Sequence, residues 1–547
     1  MQKVSVRRHL AVLGLFAALA VLHTWPLAQA PGSLSRHDNG DALLNEWAVA
    51  WVAHQLPRDP LHLFDANIFF PERNTLAFSE HLFVQGLLGA PLLWAGVSTT
   101  VVHNLLILLG LTLTGWTMYL VMVRWTGDST AAVVSGCLLA FNAYTLTRLA
   151  HLQVMHAEFL PLAVWALDRL VETPRVRYAL WLALFFALQG LTSNYLLVFT
   201  IFALAAAGLA RPEDWWGRRR GPLAGSLAVA AVVAVAAMLP FLLPYYWAHR
   251  DQGLVRSLEE VRHFSASWRD YLATGGRLHY ELWSHRVWRA APTALFPGLA
   301  AVALASVGLM SGRAFGDRRQ RMWLAIGAIG VLLSLGPVVP GYSTLYGVFP
   351  LLQGIRAPVR FGFLMLAGVA GLAGFGLAWL RTRWAGRGAW PAIAGSVALL
   401  LVTAEAFRAP VVFRPALRIP AAYDVLAHED GAVIVEFPLP PPQTIFRNAP
   451  YMLYSTRHWK PMLNGYSGFM PRSYLEHWEL IREFPSRNAL AALAQLGVTH
   501  IVVHDPEIAR DADRAAALAR VVSRDGVRIY RLDRELARRP PNEETRP

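Results

Sequence analysis

RVRYALWLALFFALQGLTSNYLLVFTIFALAAAGLAR, residues 175–211, is apolar between arginines at its two ends and polar at its middle, Thr192-Ser193-Asn194. Basic residues that flank membrane spans stay on the cytoplasmic side. Arg175, Arg177 and Arg211 share that side only if the segment leaves it and comes back, with Thr192-Ser193-Asn194 as the outer apex. Residues 178–210 are tight for two crossings of ~20 residues each. The stretch therefore reads as two shortened helices, or as one long helix if the sidedness nearby is reversed. In both cases the chain is a polytopic membrane protein, mainly α.

Composition points the same way. Of 547 residues, 55% are hydrophobic and 16% charged, and mean hydropathy is +0.36, whereas a soluble domain carries about 25% charge. The net charge of +14 sits in short arginine clusters between apolar runs: Arg124; Arg169, Arg175 and Arg177; Arg218, Arg219 and Arg220; Arg313, Arg318, Arg319 and Arg321; Arg381, Arg383 and Arg387. That distribution argues for a membrane partner and against nucleic acid. Lys3 and Lys460 are the lysines, so the arginine excess reflects genome composition and not chemistry. The single cysteine, Cys137, excludes an intrachain disulfide and a multi-cysteine metal site.

Taking the basic clusters as cytoplasmic gives about eleven spans. The first covers 10–30 and is read as uncleaved, amino end inside, although Lys3, Arg7 and Arg8 before an apolar run also resemble a signal peptide. Residues 82–96 are short and contain Pro91, and read as a re-entrant or juxtamembrane helix; 101–123 is the second span. Further spans are placed at 130–147, 158–171, twice within 178–210, and at 222–247, 293–311, 322–340, 361–380 and 390–408. Outer loops then fall at 31–100, 148–157, 248–292 and 341–360, and tryptophans such as Trp215, Trp216, Trp247, Trp379, Trp384 and Trp390 anchor span ends.

Residues 409–533 differ in kind, with clustered prolines and more charge. Ala432 to Phe437, Val498 to Val503 and Val527 to Leu532 read as strands, and Asn488 to Leu496 as a helix closed by Gly497. A helix is predicted near 509–521, and 534–547 reads as a disordered polar tail. This is a small α/β domain outside the membrane, behind a transmembrane domain over 1–408.

Polar groups able to do chemistry collect in the outer loops. The first carries Ser35-Arg-His-Asp38-Asn-Gly-Asp41-Ala-Leu-Leu-Asn45-Glu46-Trp47. Asp38 as helix cap with Asp41 one turn inside would put two carboxylates on one face, suited to a general base or a divalent cation. Equally, Asp38 caps the helix and Asp41 favours its positive end. Glu80 and His81 lie at the mouth of the re-entrant helix, as substrate groups or with Glu80 as a first-turn acid.

The second outer loop concentrates Arg148, His151, Gln153, His156 and Glu158 between two spans. Ionisable groups at membrane depth are expensive and functional by default. Arg148, His151, Gln153 and Glu158 read as substrate-binding residues, and His151 and Glu158, with Asp38 and Asp41, as candidate metal ligands. A solvated turn is the plain alternative. The cofactor is unknown, a divalent cation being the one this donor set would take.

The fourth loop ends in Gln353-Gly354-Ile355-Arg356-Ala357-Pro358-Val359-Arg360-Phe361. Two arginines across a proline at a span's outer start offer bidentate donors to a phosphate. Their location runs against the positive-inside trend, which favours that reading over snorkelling.

This layout resembles the C-type glycosyltransferase superfamily, polytopic enzymes that include protein mannosyltransferases, aminoarabinose transferases and oligosaccharyltransferases. The resemblance covers most of 1–408 and rests on the acidic first loop, the Arg/His/Glu second loop and the many spans. The Arg356 to Phe361 segment and the Leu496 to Val503 strand are similar to those of bacterial members. A Trp-Trp-Asp motif is absent. The resemblance implies a polyprenyl-phosphate-linked sugar donor and transfer to an envelope acceptor on the non-cytoplasmic face, here the periplasmic side of a bacterial inner membrane. It also implies an acidic base or metal ligand after the first span, which maps to Asp41, with Asp38 as alternative. A flippase or transporter for a lipid-linked glycan and a non-catalytic assembly protein are the competing readings. Nearly charge-free spans with polar groups at one face favour chemistry over transport. Sugar, acceptor and oligomeric state are not written in the sequence.

Overall fold

The computed structural model describes residues 6–36, 40–215, 220–253, 256–311 and 313–539. Lys3, Asp38, Trp216, Arg218, Arg219 and residues 540–547 lie outside them. The chain is mainly helical and divides into two compact units: Met1–Pro31, Asn104–Phe241 and Val255–Phe413 form the first, and Gly32–His103, Leu242–Leu254 and Arg414–Pro547 the second. Residues 32–103 thus share a compact unit with the carboxyl-terminal region, a grouping different from the division at 408 read from composition.

Among the described residues four helices are long and apolar enough to cross a membrane: Val6–His23, Thr99–Thr126, Arg220–Gln252 and Pro358–Arg383. Shorter apolar helices, Ser129–Ala140, Val176–Thr192, Asn194–Leu209, Leu299–Met310 and Trp390–Ala406, stand at other expected span positions, together with Phe159–Glu172 and Arg318–Ser334. The first helix stops at His23, short of the expected 30, where Trp25-Pro26 interrupts it.

The 175–211 segment is two helices. They break at Ser193, whose extended backbone ends one helix and whose hydroxyl caps the next by accepting from the Leu196 N–H. At about 1.5 Å per residue each half is near 25 Å, shorter than a ~30 Å hydrocarbon layer.

Within the first unit the helix Gly362–Arg383 is central. Most of its residues are buried, whereas most of those in Arg220–Gln252 are not. Without a hydrophobic drive between helices in lipid, close approach through small residues holds a bundle together. A Cβ on Gly371 would lie 2.3 Å from the Trp323 ring, and one on Gly376 would lie 2.0 Å from the Leu304 carbonyl oxygen. The Ser135 hydroxyl adds a 2.7 Å bond to the Ala370 carbonyl.

The second unit holds two sheets. Strands β1 (Leu34–Ser35) and β2 (Arg414–Pro415) pair antiparallel. The larger sheet contains β3 (Ile434–Phe437), β4 (His500–Val503), β5 (Leu518–Arg524) and β6 (Val527–Leu532), ordered β3-β4-β6-β5, with β3 and β4 parallel and the other pairs antiparallel. Three of these strands and the helix Arg487–Gln495 match the sequence reading.

The helix expected at 509–521 is corrected. A helix runs only from Pro506 to Ala512, and Leu518–Arg524 is an edge strand. Asp525-Gly526 takes positive φ at both residues, 54° and 76°, the hairpin turn whose twist suits two antiparallel strands. The Ala515-Ala516-Ala517 run looked helical, but the turn decided. The expected tail begins as a helix, Arg534–Arg538, which docks through Arg538 Nη2 on the Ala494 carbonyl at 2.5 Å.

Far-apart segments are stitched together in this unit. Phe70 N–H donates to Met462 O at 2.9 Å, Met462 N–H to Asn67 O at 2.9 Å, and Asn67 Nδ2 to Ser455 Oγ at 3.1 Å. Helices Asp41–Gln55 and Phe83–Trp94 pack closely, a Cβ on Gly86 meeting Val52 at 2.5 Å.

Candidate functional site

The acidic element of the second unit begins at Asp41. Gly40, with φ 86°, is the residue before the helix and offers no side-chain cap. The expectation that Asp41 sits one turn inside the helix is thereby corrected: the left-handed turn at Gly40 starts the helix, and Asp41 is its first residue, while Asp38, the expected cap, lies outside the described residues. There the carboxylate faces the positive end of the helix dipole. Its Oδ1 accepts from the Tyr466 hydroxyl at 2.5 Å. Further along, the buried Glu46 accepts from Thr99 and Thr100 hydroxyls at 2.6 and 2.8 Å, which fixes the helix against the start of the next long one.

Glu80 and His81 precede the helix Phe83–Trp94, so Glu80 is not a first-turn acid. His81 is buried and its Nδ1 accepts from the Phe83 N–H at 3.0 Å. Burial pushes its pKa down to about 4, which keeps the ring neutral and able to accept.

In the first unit the 148–158 segment is not a solvated turn. Leu149, Ala150, Leu152, Met155, His156, Ala157 and Glu158 are buried, and neighbouring helices satisfy its polar backbone. The Thr114 hydroxyl donates to Met155 O and accepts from Ala157 N–H, both at 3.0 Å. Gln189 gives Nε2 to the His156 carbonyl at 3.0 Å and takes Phe159 N–H on Oε1 at 3.1 Å.

His156 is the hub that residue counting did not single out. Its Nε2 meets the Leu106 carbonyl at 3.0 Å and its Nδ1 meets Glu158 Oε1 at 2.9 Å. A carbonyl only accepts, so Nε2 carries a proton, and Nδ1 is the ring nitrogen turned to the Glu158 carboxyl. Space for the ring exists because residue 110 is glycine: a Cβ there would lie 2.8 Å from His156 Cδ2. Glu158 and His156 thus face inward as a buried pair, while His151 and Gln153 are half-exposed. Arg148 is buried and lies over the Tyr144 ring, 4.9 Å from its centroid, hydrogen-bonding the same residue's hydroxyl.

The arginine pair Arg356 and Arg360 is part of a larger cluster in the same unit. Arg356 Nε lies 3.2 Å from Glu260 Oε1, and its guanidinium sits 4.4 Å from the Phe264 centroid. Arg256 Nη1 reaches the same Glu260 oxygen at 3.3 Å. Arg360 stacks 4.5 Å over the Tyr195 ring. Burial first, and the neighbouring Arg356 charge in addition, hold the Arg256 pKa below its usual range. Two guanidiniums on one carboxylate oxygen, with a third on the following turn, form an anion-attracting arrangement. Arg256 and Glu260 precede Arg356 by about a hundred residues and carry no motif that would have tied them to it.

Among the described residues no three His, Cys, Asp or Glu side chains converge to hold a metal ion. Of the candidate ligands, Glu158 is occupied by His156, Asp41 binds Tyr466, and Asp38 lies outside the described residues.

No family model and no curated protein matches the chain. Solved structures do. The mycobacterial arabinofuranosyltransferase AftD superposes with a TM-score of 0.61 at 15% identity, over 97% of this chain and 40% of its own. This chain therefore spans less than half of that protein's length. The Archaeoglobus fulgidus oligosaccharyltransferase in its apo form gives 0.51 at 14% identity, over 91% and 70%. ArnT from Cupriavidus metallidurans, bound to undecaprenyl phosphate, gives 0.51 at 13% identity, over 96% and 97%. At these identities the likeness is one of architecture, and the chain has the fold of the C-type membrane glycosyltransferases.

Proposed function

We propose that this protein transfers a sugar from a polyprenyl-phosphate-linked donor to an acceptor of the cell envelope, on the periplasmic face of a bacterial inner membrane. In this reading it is a multi-pass protein of about eleven spans, with its amino end cytoplasmic and residues 409–533 outside. The observation that carries the proposal is the near full-length fold likeness, in both directions, to an ArnT that holds undecaprenyl phosphate.

The chemistry is displacement at the anomeric carbon. The acceptor hydroxyl oxygen bonds to that carbon while the bond from carbon to the phosphate oxygen breaks. The lipid phosphate leaves with the electron pair, and the hydroxyl proton passes to Asp41. Tyr466, donating to Asp41 Oδ1, aims the other oxygen and holds the carboxylate in place. Asp38 is the alternative base. Arg356 and Arg360, aided by Arg256, receive the charge that grows on the departing phosphate. Arg148, His151 and Gln153 hydrogen-bond the donor, held by a segment that His156 and Glu158 pin from within, and Glu80 and His81 belong to the acceptor side. One-step displacement inverts the anomeric centre.

The test compares lipid-linked sugars and envelope glycans in cells lacking the protein, cells carrying it, and cells carrying Asp41→Asn. Accumulation of a polyprenyl-phosphate sugar with loss of one glycan modification, in both the deletion and the variant, is the expected result. Unchanged glycans and lipids in the deletion would sink the proposal.

A further inference from the structure

Glu436 stands in the middle of β3, where every residue is buried and its neighbours are Ile434, Val435 and Phe437. A carboxylate in such a strand is costly unless it is paired. One oxygen, Oε2, takes both a hydrogen bond from the Tyr423 hydroxyl and His504 Nε2 at 2.7 Å. The other, Oε1, is buried with no partner among the described residues. Burial raises the Glu436 pKa, with the His504 contact opposing it, and raises that of Tyr423.

His504 follows the last residue of β4, which runs parallel to β3. Both residues therefore lie at or near the carboxyl ends of adjacent parallel strands, the edge at which open α/β sheets bind ligands. With Nε2 turned to the carboxyl and the Tyr423 hydroxyl, Nδ1 is the ring nitrogen left to meet a ligand, an acceptor in the neutral Nε2–H tautomer. That nitrogen has no partner among the described residues, and the side chain is 20% exposed. The ring lies flat against Tyr451, 4.8 Å between centroids at 16°, with Tyr454 at 6.1 Å. Asn464 takes the Glu436 N–H on its side chain at 2.7 Å and holds the strand in register.

An outward ring nitrogen, half-buried tyrosine faces and a buried carboxylate behind them match a ring that presents hydroxyls at its edge and C–H groups on its face. We propose that the carboxyl ends of β3 and β4 form a carbohydrate-binding site, with His504 Nδ1 accepting a sugar hydroxyl, Tyr451 and Tyr454 supporting the sugar face, and Glu436 as the positioning residue. The choice of occupant rests on the glycosyl-transfer reading, and the site would hold the acceptor glycan away from the reacting carboxylate at Asp41.

The test uses the full chain in lipid nanodiscs, so that no sugar detergent is present. Saturation-transfer NMR and a titration would be run with neutral tetra- to hexasaccharides of glucose, galactose, mannose and arabinose. Wild-type protein is expected to bind at least one series. His504→Gln and Tyr451→Ala should each weaken it by tenfold or more, with thermal midpoints close to wild type. Glu436→Gln should weaken it too, and because that variant risks misfolding, the two part-exposed variants decide. Asp41→Asn should bind as wild type, so loss of transfer with intact binding separates this site from the reaction site. Absence of binding by wild type to every series, or equal binding by both part-exposed variants, would overturn the proposal. Sugar binding without any transfer activity would uphold the site and remove the glycosyl-transfer reading.

Discussion

Arg211 Nη1 lies 2.5 Å from Asp168 Oδ1, with the two side chains 1% and 0% exposed. The arginine clusters serve as topological markers in the sequence, and here they are also a lock. Asp168 binds Arg319 as well, at 3.0 Å; Arg319 reaches Glu172 at 2.9 Å; and Asp214 holds Arg211 at 2.7 Å and Arg318 at 3.1 Å. The helices Phe159–Glu172 and Arg318–Ser334 are thus joined to the Arg211 corner through charge pairs.

Removing one partner of a buried pair leaves the other charge uncompensated, at a cost of about 3–5 kcal/mol. Asp168→Asn should therefore lower the thermal midpoint sharply, while Arg383→Ala, on an exposed residue, should change stability by less than about 0.5 kcal/mol. Thermal unfolding of purified protein checks both. Equal effects would reduce the Asp168 network to surface pairing.

The sidedness predicts that the carboxyl-terminal region lies outside the cytoplasm. A reporter active only in the periplasm, fused after Arg539, should be active, and a cytoplasmic reporter at the same place silent. The reverse pattern would move every outer-loop site to the wrong face.

Arg356 and Arg360 should differ from ordinary interface anchors in their response to lysine. Arg356→Lys and Arg360→Lys keep the charge and remove the planar fork that grips two phosphate oxygens and stacks on Phe264 and Tyr195. Binding of polyprenyl phosphate should weaken by tenfold or more in each, and Arg256→Lys should do the same if the third guanidinium belongs to the site. Unchanged affinity in all three would return them to structural roles.

Two histidines should shape the acid limb of stability. His81 and His458 each accept a backbone N–H two residues on, from Phe83 at 3.0 Å and Lys460 at 2.9 Å. Burial holds their pKa values down to about 4 and about 3, Lys460 adding to the second. They stay neutral when folded and take protons near pH 6.5 when unfolded. Their contribution is therefore complete above about pH 6.5 and falls below it, by about 1.4 kcal/mol per pH unit for each histidine until the folded pKa is reached. Thermal midpoints from pH 7.5 to 4.5 should drop less steeply in the His81→Asn/His458→Asn double variant, since asparagine can accept the same N–H without titrating. Parallel curves would contradict the assignment.

The helical architecture was legible because apolar length and arginine placement act locally; the Ser193 break was one of the two readings left by the terminal arginines and the polar Thr192-Ser193-Asn194 between them. The Leu518–Arg524 strand was not, since its alanine-rich approach favours a helix and only the Asp525-Gly526 turn commits the chain to a hairpin. Site partners were hidden for a different reason. Tyr466 meets Asp41 across 425 residues, and Arg256 joins Arg356 from another loop, so no spacing rule connects them. The 148–158 segment was recognised by its density of polar groups, but which of them face inward depends on Gly110, Thr114 and Gln189 of neighbouring helices.

Asp41 and Tyr466 provide the decisive comparison. Asp41→Asn is nearly isosteric and keeps a hydrogen-bonding oxygen for Tyr466, but it cannot take a proton. If Asp41 is the base, transfer in membranes at matched protein level should fall about 10²- to 10⁴-fold, with the thermal midpoint nearly unchanged. Tyr466→Phe removes the donor and leaves the carboxylate, so it should cost far less in rate and act by loosening orientation. If Asp41 instead serves the helix end, Asp41→Asn should cost about 1 kcal/mol of stability or less with near-normal turnover. The two roles separate because a base is lost with its charge whereas a helix-end contribution is lost only in part. Wild-type turnover in Asp41→Asn would pass the catalytic role to Asp38, and Asp38→Asn is then the variant in which transfer must fail.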